Sequence, residues 1–438
     1  MSCLLNDIGQ AVQTVNPVRQ VGRVTNLVGM VIEAGGLEAP VGSLCRIETG
    51  RFEPPVLCEV VGFREHGLLV MPFSDMRGVA RGQRVTLVAS RLTVPFGPQL
   101  LGRVLDGLGR PLDGGPPLSH LPRVHLGGTA PSAMTRRRTD GPLATGIRAI
   151  DSMVTVARGQ RLGIFAGSGV GKSVLLGMMA REAAAEVNVL ALIGERGREV
   201  REFIERDLGP EGLARSVVVV VTSDESAVMR AKGAETAMTL AEAFRDADHD
   251  TLFMMDSATR YAMALREIGL AAGEPPTTKG YPPSVFAALP RLCERAGWSA
   301  VNAMTAFFTV LIEGDDIQDP IGDAMRSILD GHVMLSRDLA RENHYPAIDV
   351  LGSISRMRAE VMPEPDRLAG GHVLRWMKSL EENRDLVNIG AYVPGSDPVL
   401  DEALRRRDDI RSFLVQGMSE KAPFEASLDG LRRLAGRA

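Results

Sequence analysis

Hydrophobic and polar positions change rhythm several times along this chain of 438 residues. At the start, Leu4, Leu5, Ile8 and Val12 share one helical stripe, with Asn6, Asp7, Gln10 and Gln13 elsewhere. That pattern predicts a short amphipathic helix over 1–15, either folded back on its own domain or docked to another protein. From Gly22 to about Ser90 the pieces turn short and β-rich, at 23–25, 29–33, 43–48, 56–62, 67–71 and 83–88. Gly or Pro punctuates nearly every gap, and strands at this spacing predict a small barrel. Residues 102–114, GRVLDGLGRPLDG, read as a glycine-rich connector with turns, followed by a Pro-, Thr- and Arg-rich passage over 116–145. Between Gly146 and about Arg358 lie nearly continuous apolar runs at 161–166, 187–193, 217–222, 251–256 and 306–312. Such runs predict a parallel sheet with helices on both faces. From Asp366 onward the period is helical, at 368–380, 398–416 and 427–434. The expected division is a docking segment over 1–20, a barrel over 21–92, an α/β core over 93–365 and a helical domain over 366–438.

Composition narrows the class. A chain this long exceeds one core, and 45% hydrophobic with 24% charged residues is ordinary for a globular protein. A net charge of −4 with 4% aromatic residues argues against a dedicated nucleic-acid binder, which needs basic surface and stacking platforms. The Arg triplets at 136–138 and 405–407 read as solvated faces or subunit contacts. Cys3, Cys45, Cys58 and Cys293 form no C-x-x-C pair or metal spacing, the pattern of reduced thiols in a cytosolic protein. The first residues carry no long apolar core of a secretory signal. No run reaches the ~20 apolar residues that span a bilayer, so membrane association is expected only through partners.

The chemistry begins at Leu162-Gly-Ile-Phe-Ala-Gly-Ser-Gly-Val-Gly-Lys-Ser, an apolar strand running into a glycine-rich turn. Gly167, Ser168, Gly169, Val170 and Gly171 can turn backbone N–H groups inward, and the helical stretch that follows, Val174–Glu182, offers its positive end to the same anion. Lys172 supplies a charge for the outer phosphates of a nucleoside triphosphate, and the Ser173 hydroxyl can hold Mg²⁺. Ala166 stands where G-x-x-x-x-G-K-[ST] has its first glycine, a small departure.

Two carboxylates and two arginines complete the candidates. Asp256 ends the strand at 251–256 and would hold the Mg²⁺ shell, unless it is a simple turn cap. Glu195 follows the second strand and could activate the attacking water, or pair with Arg196 or Arg198. Arg356, in Gly-Ser-Ile-Ser-Arg, could stabilise γ-phosphate charge in the transition state, or be a surface residue. Arg260, four residues beyond Asp256, is a second candidate for phosphate contact.

In order, GRVLDGLGRPLDG, TGIRAIDSMVTVARGQRLGIFAGSGVGKS, GERGREVREF, DSATRYAMALREIGLAAGEPPTTKGYPPSVFAALPRL and SILDGHVMLSRDLARENHYPAIDVLGSISR resemble the F-type/V-type rotary ATPase superfamily. The likeness runs from Gly22 through the C-terminal helices and is nearest the single-chain branch, the flagellar and type III secretion export ATPases. The stretch VNPVRQVGRVTNLVGMVIEAGGLEAPVGSLCRIE looks more like the flagellum-specific ATPase than the injectisome one.

The resemblance implies a RecA-like P-loop core with an N-terminal β-barrel and a C-terminal helical domain, assembled as a homohexamer with sites between subunits. It implies ATP and Mg²⁺ as ligands. Lys172 and Ser173 would serve phosphate and Mg²⁺, Asp256 the Mg²⁺, Glu195 the water, and Arg260 a phosphate. Arg356 would be a finger given to the neighbour, and Tyr345 would pack on the adenine. The rotary catalytic subunit has a further aromatic near the positions that Gly417 and Met418 occupy here, which leaves base selectivity less secure. Also implied are a stator-like regulator at the N-terminus, a coiled-coil stalk, chaperones with export substrates, and a membrane export gate. Because one chain carries both Glu195 and the SISR arginine, identical copies suffice for a complete site. The competing expectations are a virulence type III secretion ATPase, the catalytic subunit of a rotary ATP synthase, an RNA-translocating helicase, and a nucleotide-binding subunit without catalysis.

Overall fold

The computed structural model describes residues 20–50, 53–65, 67–312 and 319–436. The Leu4–Val12 stripe lies outside them. The described chain divides into two compact units, the first ending at Leu92 but including Ser226–Met229 and Glu267–Pro275. The second comprises Thr93–Glu225, Arg230–Arg266 and Pro276–Ala438.

In the first unit the punctuated strands form a closed antiparallel barrel. Its strands are β1 (Val21–Val28), β2 (Val31–Gly35), β3 (Leu44–Ile47), β4 (Val56–Arg64), β5 (Gly67–Pro72) and β6 (Arg84–Ala89), in the order β1-β2-β5-β4-β3-β6. Closure comes from β6 pairing back on β1. Ile32, Ile47, Val60, Val70 and Val85 fill the interior and are fully buried, so this small barrel is packed with side chains. Cys45 and Cys58 face each other in register across β3 and β4. Both are free thiols, and burial pushes the Cys45 pKa up to about 11 and that of Cys58 higher still.

The second unit is built on a sheet of nine strands among the described residues. A small ribbon pairs β7 (Thr93–Pro95) with β9 (Arg123–His125). The sheet itself contains β8 (Val104–Leu105), β10 (Arg161–Ala166), β11 (Val187–Glu195), β12 (Ser216–Thr222), β13 (Thr251–Asp256), β14 (Gly297–Trp298), β15 (Ala303–Leu311), β16 (Gly331–Leu335) and β17 (Ile348–Ser355). Its order is β17-β16-β10-β15-β13-β11-β12-β8, with β14 on β15. From β16 to β8 the pairings are parallel, while β17 and β14 run antiparallel. Strands β11, β13 and β15 are buried almost end to end, as a sheet covered on both faces requires.

Two elements differ from expectation. The connector at 102–114 contains β8, a sheet strand against β12, too short to show a period. Strand β16 alternates between buried and half-buried positions over five residues, and its Gly-His opening gave no apolar run to read. The helices Glu364–Glu382, Pro398–Leu414 and Phe424–Leu434 close the chain. Their inner residues, including Val373, Ala403, Ile410 and Leu431, join the same hydrophobic core as the sheet. The triplet at 405–407 is mostly solvated, with Arg406 stacked on Trp376 and paired with Glu402.

Candidate active site

Strand β10 ends at Ala166, and the chain turns through the glycine loop into the helix Lys172–Glu182. Gly169 and Gly171 take left-handed φ values of 78° and 89°, which a side chain would strain. Beyond Gly169 there is open space, while the Gly171 backbone faces the ring of Tyr345. A Cβ on Gly171 would lie 3.5 Å from that ring, and one on Gly167 would lie 2.8 Å from the Arg337 Nε. Val170 buries its side chain in the core and leaves its backbone to the loop. The helix presents its positive end and unpaired N–H groups at the loop.

Parallel strands deliver the charged groups to the same edge. Asp256 closes β13 and Glu195 closes β11, both at carboxyl ends, where such sheets bind ligands. Lys172 Nζ lies 2.5 Å from Asp256 Oδ1 and 3.6 Å from Glu195 Oε1. Strand β15 runs between β10 and β13, and its Thr309 hydroxyl donates to the same Asp256 oxygen at 2.8 Å. Burial and the Asp256 carboxylate beside it push the Glu195 pKa up to about 7, against the pull of Lys172. Burial works against the Lys172 charge, but Asp256 and then Glu195 outweigh it and raise its pKa. Arg196 pairs with Glu199 at 3.0 Å, so the local ion pair considered for Glu195 with that residue does not form.

Lys172 and Glu195 line a cleft of about 660 Å³ with Ser168, Ser173, Val174, Arg260 and Arg337. Arg260 packs its stem on Gly194, and its buried Nε has no hydrogen-bond partner among the described residues. A half-exposed guanidinium with an unpartnered Nε at a cleft wall fits an anionic ligand. Ser173 and Asp256 are hard oxygen donors that suit Mg²⁺. No group of three or more His, Cys, Asp or Glu side chains placed to hold a metal ion occurs among the described residues. A divalent cation here would therefore take much of its shell from phosphate and water.

Arg337 escaped sequence reasoning because it follows β16, which was itself unread. Ser336 caps the short helix Arg337–Arg341 by accepting from Asp338 and Leu339 N–H, which sets Arg337 at the cleft. Thr309, hidden within an apolar run, gave no signal either.

Arg356 does not belong to this cleft. It is exposed just beyond β17, and its N–H donates to the Asp330 carbonyl at 3.0 Å. Asp330 is held by Arg161, the first residue of β10. The loop lies at the other end of that six-residue strand, about 20 Å away at ~3.3 Å per residue. No guanidinium spans such a distance within one copy.

A parallel sheet that brings a glycine loop, its lysine and two acids to one edge defines a P-loop nucleoside triphosphatase core. The chain belongs to the ATP synthase alpha/beta family: the nucleotide-binding domain of that family matches residues 146–355 and its beta-barrel domain residues 24–87. The T3SS EscN ATPase C-terminal domain matches 362–433.

Among its relatives, the flagellum-specific ATP synthase of Salmonella typhimurium is 51% identical over 94% of this chain and 93% of its own. The type 3 secretion system ATPase of Xanthomonas euvesicatoria is 49% identical over the same shares. The assembled EscN ATPase of enteropathogenic E. coli superposes with a TM-score of 0.89 at 42% identity, covering 94% of this chain and all of EscN. Barrel, nucleotide-binding core and helical C-terminal region thus agree with the expected architecture.

Proposed function

We propose that this chain is a Mg²⁺-dependent ATP hydrolase energising type III export of flagellar proteins, working as a ring of identical copies. The observation that carries the reading is the separation within one chain. Glu195 sits at the loop edge of the sheet and Arg356 at the opposite edge, so each copy holds one half of two different sites.

In such a site the loop amides and Lys172 bind the β- and γ-phosphates. Lys172 is held beside Asp256 until a phosphate competes for its charge. Mg²⁺, held by Ser173 and Asp256, would neutralise charge on the phosphate oxygens. Glu195 orients the attacking water and takes its proton, a task suited to a carboxylate tuned towards neutrality. Arg260 and Arg337 balance phosphate charge from the cleft walls. Tyr345 stacks on the adenine beside Gly171, and Arg356 of the adjacent copy meets the charge that develops on the γ-phosphoryl group.

The similarity to EscN, solved as an assembled ATPase and also with its central stalk EscO, supports a homohexamer that takes a coiled-coil stalk. By the same likeness, the ring stands in the cytoplasm at the inner-membrane export apparatus. It releases chaperones from export substrates and passes the substrates to a membrane gate. Residues 1–18 dock a stator-like regulator, and no nucleic acid takes part. No described helix is long and apolar enough to cross a membrane.

Dilution tests the shared site. Specific ATPase activity should fall as the protein is diluted into monomers, and Arg356→Ala should lose most activity while still binding nucleotide. Activity strictly proportional to protein down to isolated monomers would overturn the reading.

A further inference from the structure

The backbone that carries Arg356 is fixed from several sides by groups remote from the copy's own cleft. The Asp330 carbonyl accepts both the Arg356 N–H at 3.0 Å and the Gln160 amide at 3.0 Å. The Asp330 carboxylate is forked by Arg161, with Nε on Oδ2 at 2.9 Å and Nη2 on Oδ1 at 3.2 Å. Arg161 N–H reaches the same Oδ2 at 3.2 Å. Next to Arg356, the Ser355 hydroxyl accepts from Gln160 at 3.1 Å and donates to the Thr155 carbonyl at 2.9 Å. Gly331 pairs with Ser355, and a Cβ on it would collide with the Ile354 carbonyl. Arg161 is in turn paired with Glu294, which holds Arg136 at 3.0 Å.

This set of bonds fixes the root of a solvent-facing side chain. A donated arginine needs it, because it works at a site its own chain does not build. A misplacement of about 1 Å can cost ~10²-fold in rate, and groups that must be precise are held by supporting hydrogen bonds.

We propose that Asp330, clamped by Arg161 and joined to Gln160 and Ser355, positions the arginine that each copy presents to its neighbour. These are positioning residues: they touch neither the copy's own nucleotide nor the reacting atoms. The proposal rests on the reading of Arg356 as a shared-site arginine.

Asp330→Asn keeps the volume and removes the charge that Arg161 clamps. We expect kcat to fall by roughly 10- to 100-fold, with KM for ATP and fluorescent-nucleotide affinity within about twofold, because the copy's own cleft is intact. A trans readout separates this from general damage. Lys172→Ala copies have a dead loop but a sound Arg356, so mixing them into Asp330→Asn rings should raise turnover per Asp330→Asn copy. Arg356→Ala should be rescued in the same way.

Should Asp330→Asn fail to assemble, Ser355→Ala must give a smaller kcat loss with the same rescue. Unchanged kcat in both variants, or losses that Lys172→Ala copies do not restore, would overturn the positioning role provided Arg356→Ala is itself impaired and rescued. An unimpaired Arg356→Ala would instead overturn the shared-site reading on which the proposal stands.

Discussion

Lys172 and Asp256 meet at 2.5 Å across the sheet edge, from the start of a helix and the end of a strand 84 residues apart in sequence. Both side chains are nearly buried, at 12% and 5% exposure. The lysine is the counter-charge for Asp256 and, at 3.6 Å, for Glu195.

Removing that lysine leaves two adjacent carboxylates in a poorly solvated cleft. Lys172→Ala should abolish ATP binding and destabilise the nucleotide-free protein by about 3 kcal/mol, as for breaking a buried pair. Lys172→Ala with Asp256→Ala should recover part of the lost melting temperature but none of the binding. Calorimetry with a nucleotide titration checks both.

Glu195→Gln keeps shape and hydrogen bonding but cannot take a proton. Phosphate release should slow by roughly 10²–10⁴-fold, with ATP affinity preserved or improved. Single-turnover kinetics beside equilibrium binding separate the two effects.

The raised Glu195 pKa, about 7 against an ordinary 4.5, gives the pH dependence a sign. If Glu195 is the base proposed above, kcat/KM should climb as pH rises through about 7, and the residual activity of Glu195→Gln should lack that limb. Stability moves oppositely. Between pH 4.5 and 7 the folded nucleotide-free protein keeps a proton that the unfolded chain has released, so this group's contribution falls as pH rises. The fall should be smaller in Glu195→Gln when melting temperatures are compared across that window.

Tyr345 is 38% exposed with its Cδ1 and Cε1 atoms beside Gly171, accessible to a base. Tyr345→Ala should raise KM for ATP roughly tenfold, since base stacking is worth ~1–3 kcal/mol. Tyr345→Phe should stay near the parent, and kcat should change little in either. Met418 is 60% exposed and not aromatic, so discrimination of ATP from GTP should be weak. Competition between the two nucleotides measures it.

Much of this was legible in the chain itself. Barrel strands were visible because Gly and Pro cut the sequence at hairpin spacing, and β10, β11, β13 and β15 because a doubly covered strand must be apolar throughout. The glycine loop, Lys172 and Ser173 are local, fixed by neighbours in sequence. Asp256 and Glu195 could be suspected as acids at the ends of apolar strands, but not told apart from caps or ion pairs. Their meeting with Lys172 depends on strand order, with β15 and its Thr309 between β10 and β13, which no local pattern encodes. Arg337 and Asp330 were invisible for the same reason: each acts through a contact formed only when β16 joins the sheet. Sequence determined which ligand chemistry is available, since periodicity and turn geometry are short-range properties of the chain. Only the tertiary structure decided that Arg356 lies a full strand length from its own loop, because that distance is set by how distant strands pair.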